Sequence, residues 1–526
     1  MDTHVTHKES GKPQSNSNEI RVAGSDRVYS RNKLLVVLLV PLMMSLMQVS
    51  SINTVLTSIQ TSIGASDSEL QWIISGYALS IGIFLVPAGR LGDLFGRSAG
   101  FVSGLAIFSV ASLLIGFSQD ALTLNLMRVA QGLGSGVLSP QATGLIQQYF
   151  EGKERARAFG LFGLVVAASV AAGPVLSGTL IALFGPEVGW RSSFFLNFPL
   201  GIVGVIMAFF WLPFGKERRT IGPKKDAIER EYEAREAAAG HEVRVPAGRG
   251  KIDLDPFGAV LLALAVVAVM IPFMIKGSPW FYLLVLLGAA LMALWVTWER
   301  KYKERGGFPM VDLDLFQILT FRYSMLIVAV FFLGMTSVWA VLMIFLQNAA
   351  GATPFELGMM SLPNAVLSGV ASVWAGKHAI EHGRAIQVWC LALYAAGLLG
   401  CIGVTYLVYL GYSWWWFVPP TLLMGLGGGA MGSANQTQAM LDVPASSGGT
   451  AGGVLQTGQR MATAIGIAII TAVFFAVRGP VPARAATAGV HWYVGISAAF
   501  AVSAAIILVA MVIALRFLRK GRPLTT

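Results

Sequence analysis

Charge is scarce in this sequence. Only 12% of its residues are Asp, Glu, Lys or Arg, about half the share usual for a soluble domain. A chain of 526 residues folded in water would need more charge to cover its surface, so much of that surface must face lipid. Cysteine is nearly absent. Cys390 and Cys401 fall in one apolar stretch, which excludes a disulfide framework and a cysteine metal centre. No Gly-x-x-x-x-Gly-Lys-Ser/Thr loop occurs, which argues against ATP drive within this chain. Nor is there a convergent set of His and carboxylates such as an intramembrane enzyme would need. Residues 1–32 carry Lys8, Lys12, Arg21, Arg27 and Arg31 but lack the apolar core and cleavage site of a signal peptide. They read as a disordered cytoplasmic tail, with the first hydrophobic helix as its own insertion signal.

What the sequence has is hydrophobic runs. Residues of apolar type make up 55% of it, and roughly 20 in a row suffice to cross a bilayer as a helix. The runs are 34–60, 70–90, 98–118, 121–148, 154–184, 194–214, 255–275, 280–300, 321–347, 356–376, 384–408, 413–441, 446–476 and 491–517. The fold class expected is all-α integral membrane with fourteen transmembrane helices. An even number puts both termini on one side. With that side cytoplasmic, only Arg191, Lys276, Arg478 and Arg484 of the 38 Lys and Arg fall outside, and Arg128 and Arg460 lie within spans. This inside bias accounts for the net charge of +11 without nucleic acid as a partner. The expected location is the cytoplasmic membrane, multi-pass, with lipid around the protein.

The longest internal polar break is 215–254, read as a cytoplasmic linker. Its Lys225/Glu229, Asp226/Arg230 and Glu231/Arg235 pairs have helical i,i+4 spacing. A repeat then divides the rest. The loop Ala88-Gly-Arg-Leu-Gly-Asp-Leu-Phe-Gly-Arg97 matches Ala375-Gly-Lys-His-Ala-Ile-Glu-His-Gly-Arg384 at its Gly, basic, Gly and Arg positions. The division expected is an N-terminal six-helix bundle over 33–214, two inserted helices over 255–300, a C-terminal six-helix bundle over 301–517, and a tail over 518–526. Related halves that rock about a central site are a common transporter design.

Three motifs carry a resemblance. The first is Gly89, Arg90, Asp93, Gly96 and Arg97, a tight turn whose charges can cluster. The second, Arg128-Val-Ala-Gln131-Gly132-Leu-Gly134, puts a charge inside a span, where it is expensive and usually functional; a hydrogen-bond hub for helix carbonyls is the plain alternative. The third, Ser169 to Gly178, contains Gly173, Pro174 and Gly178, small residues for close packing and a proline that bends the helix. Together with Gln71-Trp72 to Tyr77 and Trp190-Arg191 to Asn197, these resemble the major facilitator superfamily, and within it the fourteen-helix drug:proton antiporters. The resemblance covers nearly all of 33–517. It implies a gating role for the first loop, proton coupling through Asp93 and Arg128, an exporter's packing motif at Gly173, and no cofactor or metal. Trp72 and Trp190 read equally well as interface anchors.

One departure matters. Such proteins carry an Asp in helix 1 shortly before an Asn; here Asn53 is present but Gln48 stands in the acid's place. Gln cannot release a proton near neutral pH. All 27 Asp and Glu fall in tails, loops or span ends, and no His lies mid-span. Candidate cavity residues are Gln48, Asn53, Tyr77, Gln131, Asn435, Gln456 and Arg460, with Arg460 favouring anionic or neutral amphipaths. The function expected is alternating-access export of a small amphipathic molecule by a monomer, with the proton gradient as drive. An exporter of a lipid or metabolite, an uncoupled facilitator, and a non-transporting membrane sensor or scaffold are the other readings.

Overall fold

The structure is a computed structural model that describes residues 19–21, 28–214, 255–274, 280, 283–479 and 485–520, with the backbone alone for 19–21, 28, Asn53, Asp67, Met274, Pro354, Phe355 and 485–489. The linker helix expected within 215–254 lies outside the described residues. Thirteen α-helices account for nearly all of what is described: α1 Arg31–Ile63, α2 Asp67–Phe95, α3 Arg97–Phe117, α4 Ala121–Tyr149, α5 Gly152–Phe195, α6 Asn197–Trp211, α7 Pro256–Met274, α8 Leu283–Glu304, α9 Leu319–Asn348, α10 Pro354–Tyr409, α11 Val418–Met440, α12 Gly448–Arg478 and α13 Ala485–Arg519. Two short strands, Glu19–Arg21 and Val28–Ser30, pair antiparallel ahead of α1, inside the segment expected to be a disordered tail.

Ten helical segments among the described residues are long and apolar enough to cross a membrane. Two of the thirteen helices hide turns. In α5 the dihedrals stay helical through Pro174, and the break comes at Gly185, whose φ of 78° is open to glycine. The chain also doubles back within α10. A Cβ on Gly425 of α11 would lie 2.7 Å from the Asn364 carbonyl, and one on Gly427 would lie 2.5 Å from that of Cys390. Residues 364 and 390 would be about 39 Å apart along a straight helix. They sit two residues apart on α11, so α10 folds into two antiparallel arms. Gln438 of α11 holds the bend, donating to the Ala379 carbonyl at 2.6 Å and filling the space a side chain on Gly383 would need.

The first six helices contain the same device. Gly132 and Gly134 of α4 wedge between α2 and α3, against the Tyr77 carbonyl and the Phe108 amide. Gln141 of α4 donates to the Ala88 carbonyl at 2.6 Å and occupies the space beside Gly92 and Gly100. Helix starts correspond as well. Ser66 and Glu69 form a capping box at α2, and Thr353 and Glu356 form one at α10. Each box precedes its Gly-basic loop by the same number of residues.

Helices α1–α6 pack among themselves, and so do α9–α13. The two sets meet along two seams, α12 against α2 and α4, and α5 against α10 and α11. The seams are close because glycine faces glycine. A Cβ on Gly89 would lie 2.4 Å from the Gly449 carbonyl; one on Gly376 would lie 2.6 Å from the Cα of Gly160. Helices α7 and α8 pair with each other, and α7 lies against both α2 and α12. Its Val266 and Met270 cover Gly82.

Candidate functional site

The end of the molecule that carries the loop after α2 is closed by polar contacts between the two helix sets. Gly96 (φ 104°) makes the turn from α2 into α3. That turn aims Asp93 and Arg97 at the start of α12. Asp93 accepts hydrogen bonds from the Gly449 amide at 3.1 Å, the Thr450 amide at 2.8 Å and the Thr450 hydroxyl at 2.7 Å. A helix N-terminus offers unpaired N–H groups and a positive dipole end, so a carboxylate there is well stabilised. Arg97 holds Asp93 from its own helix set at 2.6 Å. It also donates to the Gly144 carbonyl, Gln148 and, across the seam, the Ala445 carbonyl at 2.6 Å. Both side chains are buried, at 3% and 4% exposure. Arg90 stays out of this cluster, and its Nε is buried without a partner among the described residues. Alongside, Gln147 of α4 donates to the carbonyls of Met440 and Val443.

Farther from that end, Arg128 is 1% exposed on α4. Its Nε donates to the Ile73 carbonyl at 2.9 Å and its Nη1 to Gln131 at 2.6 Å; Gln131 in turn donates to Ser112. The guanidinium lies over the Tyr77 ring at 4.1 Å, a cation–π contact. Tyr77 donates to the Ser45 carbonyl at 3.3 Å. This network joins α1 to α4 and stays within the first helix set.

The remaining candidates divide by location. Gln456 of α12 spans the seam: Ser139 donates to it at 2.6 Å, and it donates to Thr143 at 3.3 Å. Arg460, one turn on, is partly exposed and near Tyr77. Gln48 is 3% exposed and accepts from Asn197 of α6 at 2.9 Å, in a small pocket with Ser51, Gly173 and Ser177. Asn435 is 1% exposed and accepts from Gln387 at 2.9 Å, inside the second helix set. The side chain of Asn53 lies outside the described residues. Of the packing motif, Gly173 is the tight position, where a Cβ would come within 2.7 Å of the Met47 carbonyl; Gly178 has room, and Pro174 is exposed on α5. Trp190 is fully buried under Arg191, so it is no interface anchor, whereas Trp72 is 40% exposed.

Two buried acids escaped the sequence reading. Asp255 and Glu299 are each 1% exposed, at the base of α7 and near the end of α8. Asp255 accepts from the Gly258 amide and from the Trp298 indole, both at 3.0 Å. The space beside Gly258 is shared by both carboxyl groups. The signal was present: an Asp before Pro256 is a helix start, and Trp295, Trp298 and Glu299 share one helix face by their i,i+3 and i,i+4 spacing.

The model of the Major Facilitator Superfamily matches residues 38–276. A probable actinorhodin transporter of Streptomyces coelicolor is 30% identical over 443 residues, covering 83% of this chain and 71% of that protein. The puromycin resistance protein pur8 of Streptomyces alboniger is 28% identical over 485 residues, 89% of this chain and 88% of that one. Among solved structures, the proton:xylose symporter XylE superposes with a TM-score of 0.63 at 12% identity, covering 92% of this chain and 95% of that one. With both bundles closed on each other through Asp93 and with relatives of this kind, the chain belongs to the major facilitator superfamily, in its drug-efflux family, and is a membrane transporter.

Proposed function

We propose that this transporter exports an amphipathic small molecule, of the antibiotic and drug efflux type, by alternating access across the cytoplasmic membrane. The observation that carries this is the Asp93 carboxylate bound to the first turn of α12. It joins the two helix sets at one end only, as a gate between two access states would. The relatives' names, an actinorhodin transporter and a puromycin resistance protein, support an antibiotic-like cargo.

Fourteen crossings are supported by adding to the ten apolar segments. Segments Gly152–Trp211 and Glu356–Tyr409 are each long enough to cross twice. Helices α4 and α11 are long enough to cross but diluted by glycine and glutamine. The arrangement is then 33–214 and 301–517 as six-helix domains, with 255–300 inserted, 215–254 as linker, and both termini and the Asp93 end cytoplasmic. The chain acts as a monomer with lipid around it.

The proton gradient is the drive, with Asp93 as the coupling acid and Arg128 positioning the helices around it. An uncoupled facilitator is the second reading, and Gln48, a neutral amide bonded to Asn197 where a proton-carrying acid is expected, favours it. Purified protein in liposomes with an imposed pH gradient separates the two. Uphill movement of a screened substrate that stops when a protonophore collapses the gradient supports coupling. Flux that follows only the substrate gradient contradicts it.

A further inference from the structure

Arg460 is a cation without a counter-ion at the centre of this transporter. It stands ten residues beyond Thr450 on α12, about 15 Å along the helix from the closed end. One turn before it, Gln456 is tied across the seam to Ser139 and Thr143. Residues four apart share a helix face, so Arg460 looks into the same interior, just beyond that closed floor. Tyr77 of α2 is within electrostatic reach, and the other partner of that ring is Arg128 at 4.1 Å.

The acids nearest the two helix sets' interior are engaged elsewhere. Asp93 is held at the closed end. Glu69, Asp120 and Glu356 cap the starts of helices at the other end. Asp255 and Glu299 face each other below α7 and α8. Among the described residues Arg460 has neither a hydrogen-bond nor an ion-pair partner. Arg128 differs: it is 1% exposed, with its Nε bonded to Ile73 and its Nη1 to Gln131.

We propose that the transport path between the two helix sets selects amphipaths bearing an acidic group, a carboxylate or an acidic phenol, and that Arg460 is the residue that meets the negative charge. The inference rests on the export reading above. An uncompensated cation in a low-dielectric membrane interior attracts anions and is itself costly to keep. A bound carboxylate supplies the missing counter-ion through paired hydrogen bonds to the planar guanidinium. A cationic cargo would bring a second positive charge beside the first with no acid to offset either.

The test compares two xanthene dyes of like size and opposite charge, carboxyfluorescein and rhodamine 6G. Binding to the full-length protein in detergent is read by fluorescence anisotropy, and flux is read in proteoliposomes. The wild type binds the anionic dye at least ~10-fold more tightly than the cationic one. Arg460→Gln weakens the anion by ~10-fold to ~100-fold, the size expected for one charge-assisted contact; Arg460→Lys retains most of the preference. Tighter binding of rhodamine by the wild type overturns the proposal and needs no variant to do so. An unchanged dye ratio in folded Arg460→Gln overturns it too. Flux of both dyes without anion preference rejects this inference and keeps the export reading. Anion-selective binding without flux does the reverse.

Discussion

At the α2–α12 seam a buried carboxylate joins the two helix sets; at the α5–α10 seam the joining is done by helix backbones. The first seam has Asp93 on the α12 N-terminus with Arg97 behind it. The second has Gly160 against Gly376, a hydrogen bond from Ser372 to the Gly160 carbonyl at 3.0 Å, and an exposed pair, Lys153 with Glu381. The repeat in the two loops therefore preserves the outer two glycines and changes the chemistry. Opposite Asp93 in that repeat stands Ile380, and Arg384, opposite Arg97, lies over the Phe517 ring at 4.2 Å. Both seams rest on close glycine contacts, but only the first holds a buried charge. A gate needs only one such contact, since a bond that is made in one state and lost in the other shifts the balance between them.

Breaking the charged seam has the largest effect. Asp93→Asn leaves Arg97 buried without its counter-ion, a loss of about 3–5 kcal/mol for a buried pair. Export of the best substrate in cells is expected to fall by ~100-fold or more, with the protein still present in the membrane. Export within threefold of wild type would remove Asp93 from the gate.

Steric effects come next and should rank the seams. Gly89→Ala puts a Cβ 2.4 Å from a backbone carbonyl, Gly376→Ala one at 2.6 Å from a Cα, and Gly160→Ala one at 3.2 Å. Contacts this close to backbone cannot be relieved by a side-chain rotation. The expected order of lost export is Gly89→Ala, then Gly376→Ala, then Gly160→Ala, spanning ~10-fold or more. A reversed order would mean the α5–α10 seam is the tighter closure.

Releasing the cavity floor is milder. Gln456→Ala removes hydrogen bonds to Ser139 and Thr143, each contributing about 1 kcal/mol. It should raise passive leak of the substrate through the liposome membrane by several-fold. An unchanged leak would show that the floor is held by packing alone. Smallest of all is Glu381→Gln, because exposed ion pairs contribute little and salt screens them. Export should stay within about twofold of wild type at physiological salt; a loss matching that of Asp93→Asn would erase the contrast between seams.

Much of this was legible in the sequence because lipid enforces simple rules. A spanning backbone must be helical, so apolar length alone located the helices, to within a few residues at α3, α4 and α7. The Asp93–Arg97 pair was legible from its motif. Other sites were not, for a common reason: hydropathy says which residues are unusual in a span but not which way they face. Gln131 and Asn435 looked like cavity residues, yet each is hydrogen-bonded within its own helix set. Gln438 read as pore polarity and Gln141 drew no notice, yet these two hold the two bends. Arg90 sits beside a carboxylate in sequence but Arg97 takes it, because the turn at Gly96 brings residue 97 back over Asp93. Asp255 and Glu299 went unnoticed because each lies at a helix end, where acids are common; only the pairing of α7 with α8 brings them together.

If Asp93 holds the α2–α12 seam shut, double electron–electron resonance between spin labels at Ala99 and Ser446, exposed positions flanking that seam, will report it. Without substrate, the wild type should give a dominant short distance, and Asp93→Asn should shift most of the population to a longer one. The same distance distribution in both proteins would contradict the claim.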